Sequence, residues 1–290
     1  MARADSLANA HPESAHAHAE NTVSKKAYVF DATGHDSELQ RLRLIESVFD
    51  SGSREMLIRG GLSRGMNCLE VGAGAGSIAA FMAKTVGRQG RVAAVDLSTR
   101  FLRDITASNI DVYEADILDV DLPAETFDVA HARFVFIHVP EWRAALNRVV
   151  QLLKPGGLLV LEEPDFSASR ALSGTEPLRA SFERVHQAIF AMFEGRQLDH
   201  AFGLRLPAIF QGLSLGDMAL VNDAPIVQGG SPFATMMGMS ASQLRQKYKA
   251  TGLATDEDIE NYRAFTAAPS SWAIYHGTVR AAARNRRMWM

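Results

Sequence analysis

Three glycines at alternate positions follow a short apolar run, and this arrangement limits the possible folds of the 290-residue chain more than any other feature. Residues 66–84 read "MNCLEVGAGAGSIAAFMAK", with Gly72, Gly74 and Gly76 between a run typical of a buried strand and a run typical of a helix. Glycine weakens regular structure, so such a cluster indicates a tight turn or the close approach of a ligand to the backbone. We therefore expect a strand, a binding turn and a helix in succession.

After the glycines the apolar pattern alternates between strand and helix. The predicted strands span 68–71, 91–97, 110–117, 127–136 and 157–162, and the predicted helices span 77–86, 100–105 and 141–153. One or two further helices precede the glycines, where Leu39, Leu42, Ile45 and Phe49 recur at helical spacing. Strands that alternate with helices form a parallel sheet covered on both faces, so the chain is predicted to be an α/β protein.

The alternation stops after Pro164. Residues 166–212 predict helices, residues 215–227 a sixth strand, residues 232–266 a second helical stretch, and residues 271–283 a last strand. Both helical stretches are rich in Phe and Met, as in "AIFAMFEG" and "FATMMGMS". Such surfaces suit an apolar or aromatic small molecule, although most of these side chains are expected to pack the helices themselves.

Charge and cysteine content narrow the range of partners. A formal net charge of −3 gives no broad positive field, which argues against nucleic acid or an anionic membrane as the main partner. No apolar run approaches the roughly 18 to 20 residues of a membrane span. The single cysteine, Cys68, cannot form an internal disulfide, and residues 1–24 lack the apolar core of a signal peptide and are expected to be disordered. These features predict a cytoplasmic protein, and the absence of metal-ligand spacing predicts no metal.

Residues around the glycines distinguish three kinds of ligand. A phosphate-binding P-loop ends in Gly-Lys-Ser/Thr, whereas Gly76 is followed by Ser77 and Ile78. A dinucleotide site favours a third glycine where this chain has Ser77, and small residues are tolerated there, so a nicotinamide cofactor stays open as an alternative. S-adenosylmethionine has no phosphate; it needs a close backbone, a carboxylate for the ribose hydroxyls and an apolar slot for adenine.

The residues that S-adenosylmethionine needs stand at the ends of predicted strands. Asp96 and Leu97 end the second strand, where they could hold ribose and adenine. Asp116 and Ile117 end the third, where a carboxylate could accept from the adenine amino group and an apolar side chain could cover the ring. Open α/β sheets bind ligands at the carboxyl ends of their strands. This set favours S-adenosylmethionine over the other two ligands.

Five motifs in order give the chain a family resemblance. They are "LEVGAGAGS", "VDLS", "ADIL", "FDVAHAR" and "LKPGG", and together they resemble the class I S-adenosylmethionine-dependent methyltransferases over residues 66–165. The resemblance implies a doubly wound, mostly parallel seven-stranded Rossmann-like sheet with an antiparallel last strand and a helical lid insertion. It also implies S-adenosyl-L-methionine as cofactor and S-adenosyl-L-homocysteine as product.

The resemblance also assigns roles by position. Glu70, Gly72, Ala73 and Gly74 would face the methionine part of the cofactor. Asp96 with Leu97, and Asp116 with Ile117, would hold ribose and adenine as described. The remaining expected neighbours of the cofactor are Arg133 and Phe134 at the end of the fourth strand, and Tyr28 in the N-terminal segment.

The same layout predicts how the chain is divided. Residues 1–24 would be a tail, 25–65 an N-terminal helical segment, 66–165 the cofactor-binding core, 166–212 a helical substrate lid, and 213–290 the rest of the core with further lid helices at 232–264. We expect a homodimer or a higher homo-oligomer, because an N-terminal helix and a helical lid often form dimer surfaces in such proteins.

We predict an enzyme that methylates C, N or O of a lipophilic or aromatic small molecule, of secondary-metabolism or quinone type. The candidate bases are His138, after the fourth strand, and Glu163, at the end of the fifth; His131 is expected to be structural. The absence of an evident base–metal pair slightly favours a C or N acceptor. The alternatives are a nicotinamide-dependent oxidoreductase, although no Tyr-x-x-x-Lys occurs, and a non-catalytic methyltransferase-like binding domain.

Overall fold

The computed structural model of the chain describes residue 30 and residues 35–286. The strands of this part are β1 Asn67–Val71, β2 Arg91–Asp96, β3 Ile110–Glu114, β4 Phe127–Arg133, β5 Leu153–Asp165, β6 Arg170–Ser173, β7 Leu215–Asp223, β8 Val227–Gln228, β9 Trp272–Ile274 and β10 Gly277–Asn285. The helices are α1 His35–Arg59, α2 Ser77–Val86, α3 Trp142–Leu152, α4 Glu176–Gly195, α5 Leu206–Gly212, α6 Pro232–Gln243, α7 Arg245–Ala250 and α8 Asp256–Ala267.

Seven of these strands form the main sheet, in the order β3-β2-β1-β4-β5-β10-β7. The strands β1 to β5 pair in parallel, and β10 is antiparallel to both of its neighbours, β5 and β7. The inner strands β1, β2 and β5 are almost continuously buried, because helices cover both faces of a parallel sheet. This architecture confirms the predicted fold class, including the antiparallel last strand.

Two apolar clusters lie on the two faces of the sheet. One joins α2 and the end of α1 to the sheet, through side chains such as Met56, Leu57 and Met82. The other is larger and continues from α3 into the helical layer of α4 to α8. Arg184 of α4 donates to Asp258 at the start of α8, which ties the two helices together, and Thr255 caps α8 through the same carboxyl group. The helical layer therefore packs as part of the core and stands over the carboxyl ends of β4 and β5.

The structure corrects three details of the predicted elements. Residues 100–105 form turns and no helix. The stretch 271–283 is two strands, because β9 pairs with β6 and β8 in a small second sheet whereas β10 enters the main sheet. The strands β6 and β8 were not predicted separately. Over the described residues, no helix combines the length and the apolar character that crossing a bilayer requires.

Candidate active site

The glycine turn follows β1 at the carboxyl edge of the sheet. Gly72, Gly74 and Gly76 all have positive φ, at 69°, 57° and 90°, a region that side chains disfavour. A Cβ on Gly72 would lie 2.3 Å from Val135 Cγ2, so the close approach expected there is made by the protein itself. A Cβ on Gly74 would meet Leu42 only at 3.6 Å. The backbone conformation favours glycine at all three positions. Of Gly72 and Gly74, only Gly74 leaves room for a ligand.

Asp96 ends β2 and faces this turn. Its Oδ2 accepts a hydrogen bond from the Gly74 N–H at 2.8 Å, and its Oδ1 accepts from the Ser98 N–H at 3.0 Å. Burial raises the pKa of Asp96, and the backbone N–H donors oppose that shift. A carboxylate has about four acceptor positions, so these bonds leave capacity for two further donors. Leu97, directly after it, is 50% exposed, so its side chain is accessible to a ligand held by Asp96.

Asp116 and Ile117 follow β3 by two residues, not within the strand as predicted. Asp116 turns the chain, because its Oδ1 accepts from the Leu118 N–H at 3.0 Å, and Ile117 is buried. The parallel pairing of β2 and β3 brings Asp96 opposite Glu114, so the segments that follow both strands emerge at the same edge. The predicted ribose and adenine residues therefore lie on neighbouring segments.

Glu70 belongs to a buried charged triad in the middle of the sheet. His131 Nδ1 lies 2.7 Å from Glu70 Oε2, and His131 Nε2 lies 2.9 Å from Glu162 Oε1. Burial opposes protonation of this imidazole, but the two carboxylates outweigh it and raise the pKa of His131 to about 9. Arg280 Nε stands 3.7 Å from Glu162 on the other side. The Glu70 carboxylate is thus committed to His131, and its expected place beside the methionine part stays a prediction.

Arg133 links the end of β4 to α1. Its guanidinium bonds Asp50 Oδ1 at 2.9 Å and Ser53 Oγ at 2.7 Å. Asp50 also accepts from Ser77 Oγ at 3.0 Å, and Glu46 accepts from the Ser77 N–H at 3.2 Å. Carboxylates are favourable at a helix N-terminus, so α1 caps α2 directly after the glycine turn. The sequence analysis missed this contact; its signal is the pair of acids four residues apart on one face of α1.

Phe134 has a strained backbone at the end of β4. Its φ of 57° places a bulky residue in the left-handed region, where it is rare. Glu163 holds the segment that follows, because its carboxyl accepts from the N–H groups of Val135, Phe136 and Ile137 at 3.2, 2.7 and 3.2 Å. Burial raises the pKa of Glu163 to about 8 despite these donors. These contacts give Glu163 a positioning role; its predicted role as a base has no support from them.

His138 lies close to the site but among cations. Its ring stacks on Phe193 with centroids 6.1 Å apart. Burial, together with the positive charges of Arg41, Arg196 and Lys247, lowers the pKa of His138 to about 3. A proton arriving on this imidazole would be repelled, which disfavours His138 as a base.

Five rings form an aromatic cluster at the carboxyl ends of β4 and β5: Phe49, Phe134, Phe166, Phe233 and His276. The centroid of His276 lies 5.8 Å from those of Phe49 and Phe134, 5.1 Å from Phe166 and 4.8 Å from Phe233. Sequence reasoning missed His276, since its neighbours come from four separate parts of the chain. Tyr28, expected over the cofactor, lies outside the described residues.

The residues at this edge fit S-adenosylmethionine. The free acceptor positions of Asp96 match two ribose hydroxyls, and the exposed Leu97 matches one face of adenine. The strand order, the left-handed glycine turn, the acid that ends β2 and the acid that follows β3 are those that the resemblance to class I S-adenosylmethionine-dependent methyltransferases predicts. In agreement, residues 69–161 match the family model of a methyltransferase domain.

Two curated relatives extend this finding. Methyltransferase str3 of Strobilurus tenacellus is 27% identical over 182 residues, which are 62% of this chain and 64% of the relative. A demethylmenaquinone methyltransferase of Staphylococcus aureus (strain MRSA252) is 32% identical over 108 residues, 36% of this chain and 45% of the relative. The matches therefore span less than two thirds of the length of either relative.

A solved structure supports the fold over most of the chain. Phosphoethanolamine N-methyltransferase 2 of Haemonchus contortus, in complex with phosphomonomethylethanolamine and S-adenosylhomocysteine, superposes with a TM-score of 0.56. The superposition covers 91% of this chain and 61% of that one at 17% identity. At this identity the likeness concerns the fold.

Proposed function

We propose that the protein transfers a methyl group from S-adenosyl-L-methionine to a lipophilic or aromatic small molecule and releases S-adenosyl-L-homocysteine. The observation that carries the proposal is the continuity of two features at one edge of the sheet. The glycine turn with Asp96 lies at the ends of β1 and β2, and the aromatic cluster begins at Phe134, at the end of neighbouring β4. A cofactor in the first would lie beside an apolar acceptor in the second.

On the cofactor side, the chain supplies acceptors and apolar cover. Asp96 would hold the ribose hydroxyls, Leu97 and Ile117 would cover adenine, and Gly74 would admit the methionine part. When bound, the cofactor supplies a methyl carbon on a positively charged sulfur, which already favours transfer. The protein then contributes mainly position and exclusion of water. The fixed glycine turn and its cap from α1 serve that positioning.

On the acceptor side, the chain supplies aromatic faces. Phe49 and Phe134 meet edge to face at 4.8 Å, and Phe49 and Phe233 meet at 5.3 Å. Ring faces and edges of this kind suit a flat apolar acceptor better than a phosphorylated or sugar-like one. The name of the Staphylococcus aureus relative points to a quinone-like acceptor in that protein. A quinone-like or secondary-metabolism acceptor is accordingly our proposal for this chain, with the helical layer of 166–212 and 232–264 as its cover and a homodimer as the expected assembly.

The rival nicotinamide-dependent oxidoreductase fits the sheet less well. The dinucleotide-binding fold has the strand order 3-2-1-4-5-6, whereas here an antiparallel strand, β10, separates β5 from β7. The methyltransferase family match covers the glycine turn itself. A domain that binds the cofactor without catalysis is the remaining alternative, and it is an outcome of the test below.

The first test is calorimetric titration with S-adenosylmethionine and, separately, with NADPH. We expect binding of S-adenosylmethionine that Asp96→Ala weakens by about tenfold or more, a loss of about 1.4 kcal/mol. Asp111→Ala is the matched control, because Asp111 lies near the start of β3, away from the carboxyl edge, and pairs with Arg91. Equal loss in both variants, or binding of NADPH alone, would contradict the proposal.

The second step uses a methyl-labelled cofactor and a panel of phenols, quinols and aromatic amines. Transfer of the label to any of them identifies the acceptor class and atom. Binding of the cofactor with no transfer to any member, or to a cell extract, would instead support the non-catalytic domain.

A further inference from the structure

His276 occupies the junction between the second sheet and the main sheet. It directly precedes β10, and because β10 runs antiparallel to β5, the start of β10 lies beside the end of β5, with Gly277 opposite Asp165. The side chain is almost fully buried, with 3% of its surface exposed. This position places an imidazole at the carboxyl edge of the sheet, where the acceptor of the proposed reaction would lie.

One nitrogen of His276 is fixed and the other is not. Nδ1 lies 2.8 Å from the carbonyl oxygen of Gly277, which can only accept, so Nδ1 carries the proton in this contact. Nε2 has no hydrogen-bond partner within residues 35–286 or at residue 30. Nε2 is therefore an acceptor nitrogen that no described group of the protein uses.

The charges around His276 differ from those around the other candidate bases. Burial lowers the pKa of His276 to about 4, while the Gly277 carbonyl and the negative charge of Asp165 oppose that shift. The groups that pack on the ring from α1, β4, α6 and the segment after β5 are uncharged phenylalanines. The titratable group that faces His276 from α4 is His186, whose own pKa is lowered to about 3 by burial and by the neighbouring His276, so it is neutral at pH 7. Three cations surround His138 instead, and backbone N–H groups occupy Glu163. His276 is thus a neutral imidazole whose nearest charged group favours a proton.

We propose that His276 is the catalytic base that takes the acceptor's proton on Nε2; this inference rests on the proposed function. A lone pair of an O or N acceptor atom, or for a carbon acceptor the electron pair left when its C–H proton is removed, forms the bond to the methyl carbon; the carbon–sulfur bond breaks, and its electron pair stays on sulfur. The proton of the acceptor O–H, N–H or acidic C–H passes to Nε2, and the resulting imidazolium later releases it to solvent. Atoms and charge balance without any further reactant.

The charge balance explains why a buried, weakly basic imidazole suits this step. Loss of the methyl group turns a sulfonium into a neutral thioether, so one positive charge disappears from the site. The proton on Nε2 restores a positive charge a short distance away, where Asp165 and the stacked face of Phe49 stabilise it. The basicity of His276 therefore rises as the reaction proceeds. General base catalysis of this kind contributes roughly 10²- to 10⁴-fold.

The protonation state can be tested without any acceptor. Two-bond ¹H–¹⁵N spectra of the imidazoles at pH 7.5, with His276 assigned from the His276→Gln variant, should show the neutral Nδ1–H tautomer in the free protein and with S-adenosylmethionine bound. An imidazolium or the Nε2–H tautomer in either state would overturn the proposal.

The kinetic test compares two buried histidines. We expect His276→Gln to lower the rate of methyl transfer by about 100-fold or more, with S-adenosylmethionine affinity by calorimetry within about threefold of wild type. His186→Gln is the control, because His186 is equally buried and stacks on Phe182 at 4.2 Å, but lies within the helical layer against Tyr262. That variant should keep the wild-type rate within about threefold. The acceptor is 2-naphthol or whichever compound the labelled panel identifies.

The pH profile separates a base from a merely structural residue. The residual rate of His276→Gln should rise about tenfold per pH unit as solvent ionises the acceptor, whereas the wild-type rate should be flat above pH 6. His276→Phe, which fills the cluster with a fifth phenylalanine, should behave as His276→Gln does if both fold. A variant that keeps the wild-type rate and profile would overturn the inference alone. Failure of the wild-type protein to bind S-adenosylmethionine would overturn the proposed function instead, so the two failures are distinguishable.

Discussion

His131 and His276 are buried to the same degree, yet their surroundings drive them to opposite states. His131 lies in the middle of the sheet between Glu70 and Glu162, with both ring nitrogens bonded to carboxylates. His276 lies at the edge of the same sheet among four phenylalanines, with one nitrogen bonded to a carbonyl oxygen. The pKa rises to about 9 at the first position and falls to about 4 at the second.

The difference shows that burial does not by itself decide what a histidine does. Desolvation opposes the charge at both sites, and the neighbouring charges determine the result. At His131 every polar atom of the ring is used, so the proton is held and the residue joins β1, β4 and β5. At His276 one acceptor is left, so the residue is available for chemistry. Both histidines have strongly shifted pKa values, and they differ in the charges around the ring and in the number of ring nitrogens already bonded.

The largest expected effect comes from replacing each histidine by leucine. His131→Leu removes the cation between two buried carboxylates and should lower the free energy of unfolding by about 3 to 5 kcal/mol. His276→Leu loses one hydrogen bond and keeps an apolar fit, so it should cost less than about 1.5 kcal/mol. Urea denaturation at pH 7 measures both. Similar losses of unfolding free energy in the two variants would contradict the difference proposed between His131 and His276.

The pH dependence of stability should have opposite signs for the two residues. The pKa of His131 is raised above its unfolded value of about 6.5, so its stabilisation is complete below that pH and is lost as the pH rises through 9, by up to about 3 kcal/mol. The pKa of His276 is lowered, so its stabilisation is complete above about pH 6.5 and is lost as the pH falls through 4. Denaturation series from pH 5 to 9.5 should show the alkaline loss in wild type and its absence in His131→Leu.

The smallest effect is expected for Glu163→Gln, which extends the comparison from two buried histidines to a buried carboxyl group. Because burial raises its pKa to about 8, the group is largely protonated at pH 7 and a glutamine resembles it. Glu163→Gln should therefore change the free energy of unfolding by no more than about 1 kcal/mol and the methyl-transfer rate by no more than about threefold.

Glu163→Leu, in contrast, leaves three buried N–H groups without an acceptor and should cost several times as much. A large kinetic loss in Glu163→Gln with unchanged stability would restore Glu163 as a candidate base. Thermal unfolding and initial rates on the same preparations separate the two results.

The residues proposed to bind the cofactor could be predicted because the sequence patterns that indicate them are local. Gly72 to Asp96 fall within one strand–turn–helix–strand unit; Asp96 is the last residue of β2, and Asp116 lies two residues after the end of β3. Such a unit can be recognised from apolar runs and glycines that lie close together in the sequence. The fold class follows from the repetition of that unit.

The aromatic cluster proposed to hold the acceptor could not be predicted in the same detail. The apolar run 271–283 looks like one strand, and its division depends on partners more than 40 residues away: β9 pairs with β6 and β8, and β10 with β5 and β7. Only Gly277 marks the junction in the sequence. The role proposed for His276 depends on its contacts with four phenylalanines that no local sequence pattern connects: Phe49, Phe134, Phe166 and Phe233.

The place of β10 in the sheet has a consequence for how the protein is made. The ribosome delivers β5 and β7 well before β10, and β10 must insert between them. Until then, a nascent chain exposes two unpaired strand edges, which are templates for association with other chains. Long-range pairing of this kind also slows folding. Release of the last strand from the ribosome therefore completes the sheet and delivers His276 to the site in one event, so a chain stalled before residue 277 would be both inactive and prone to aggregate.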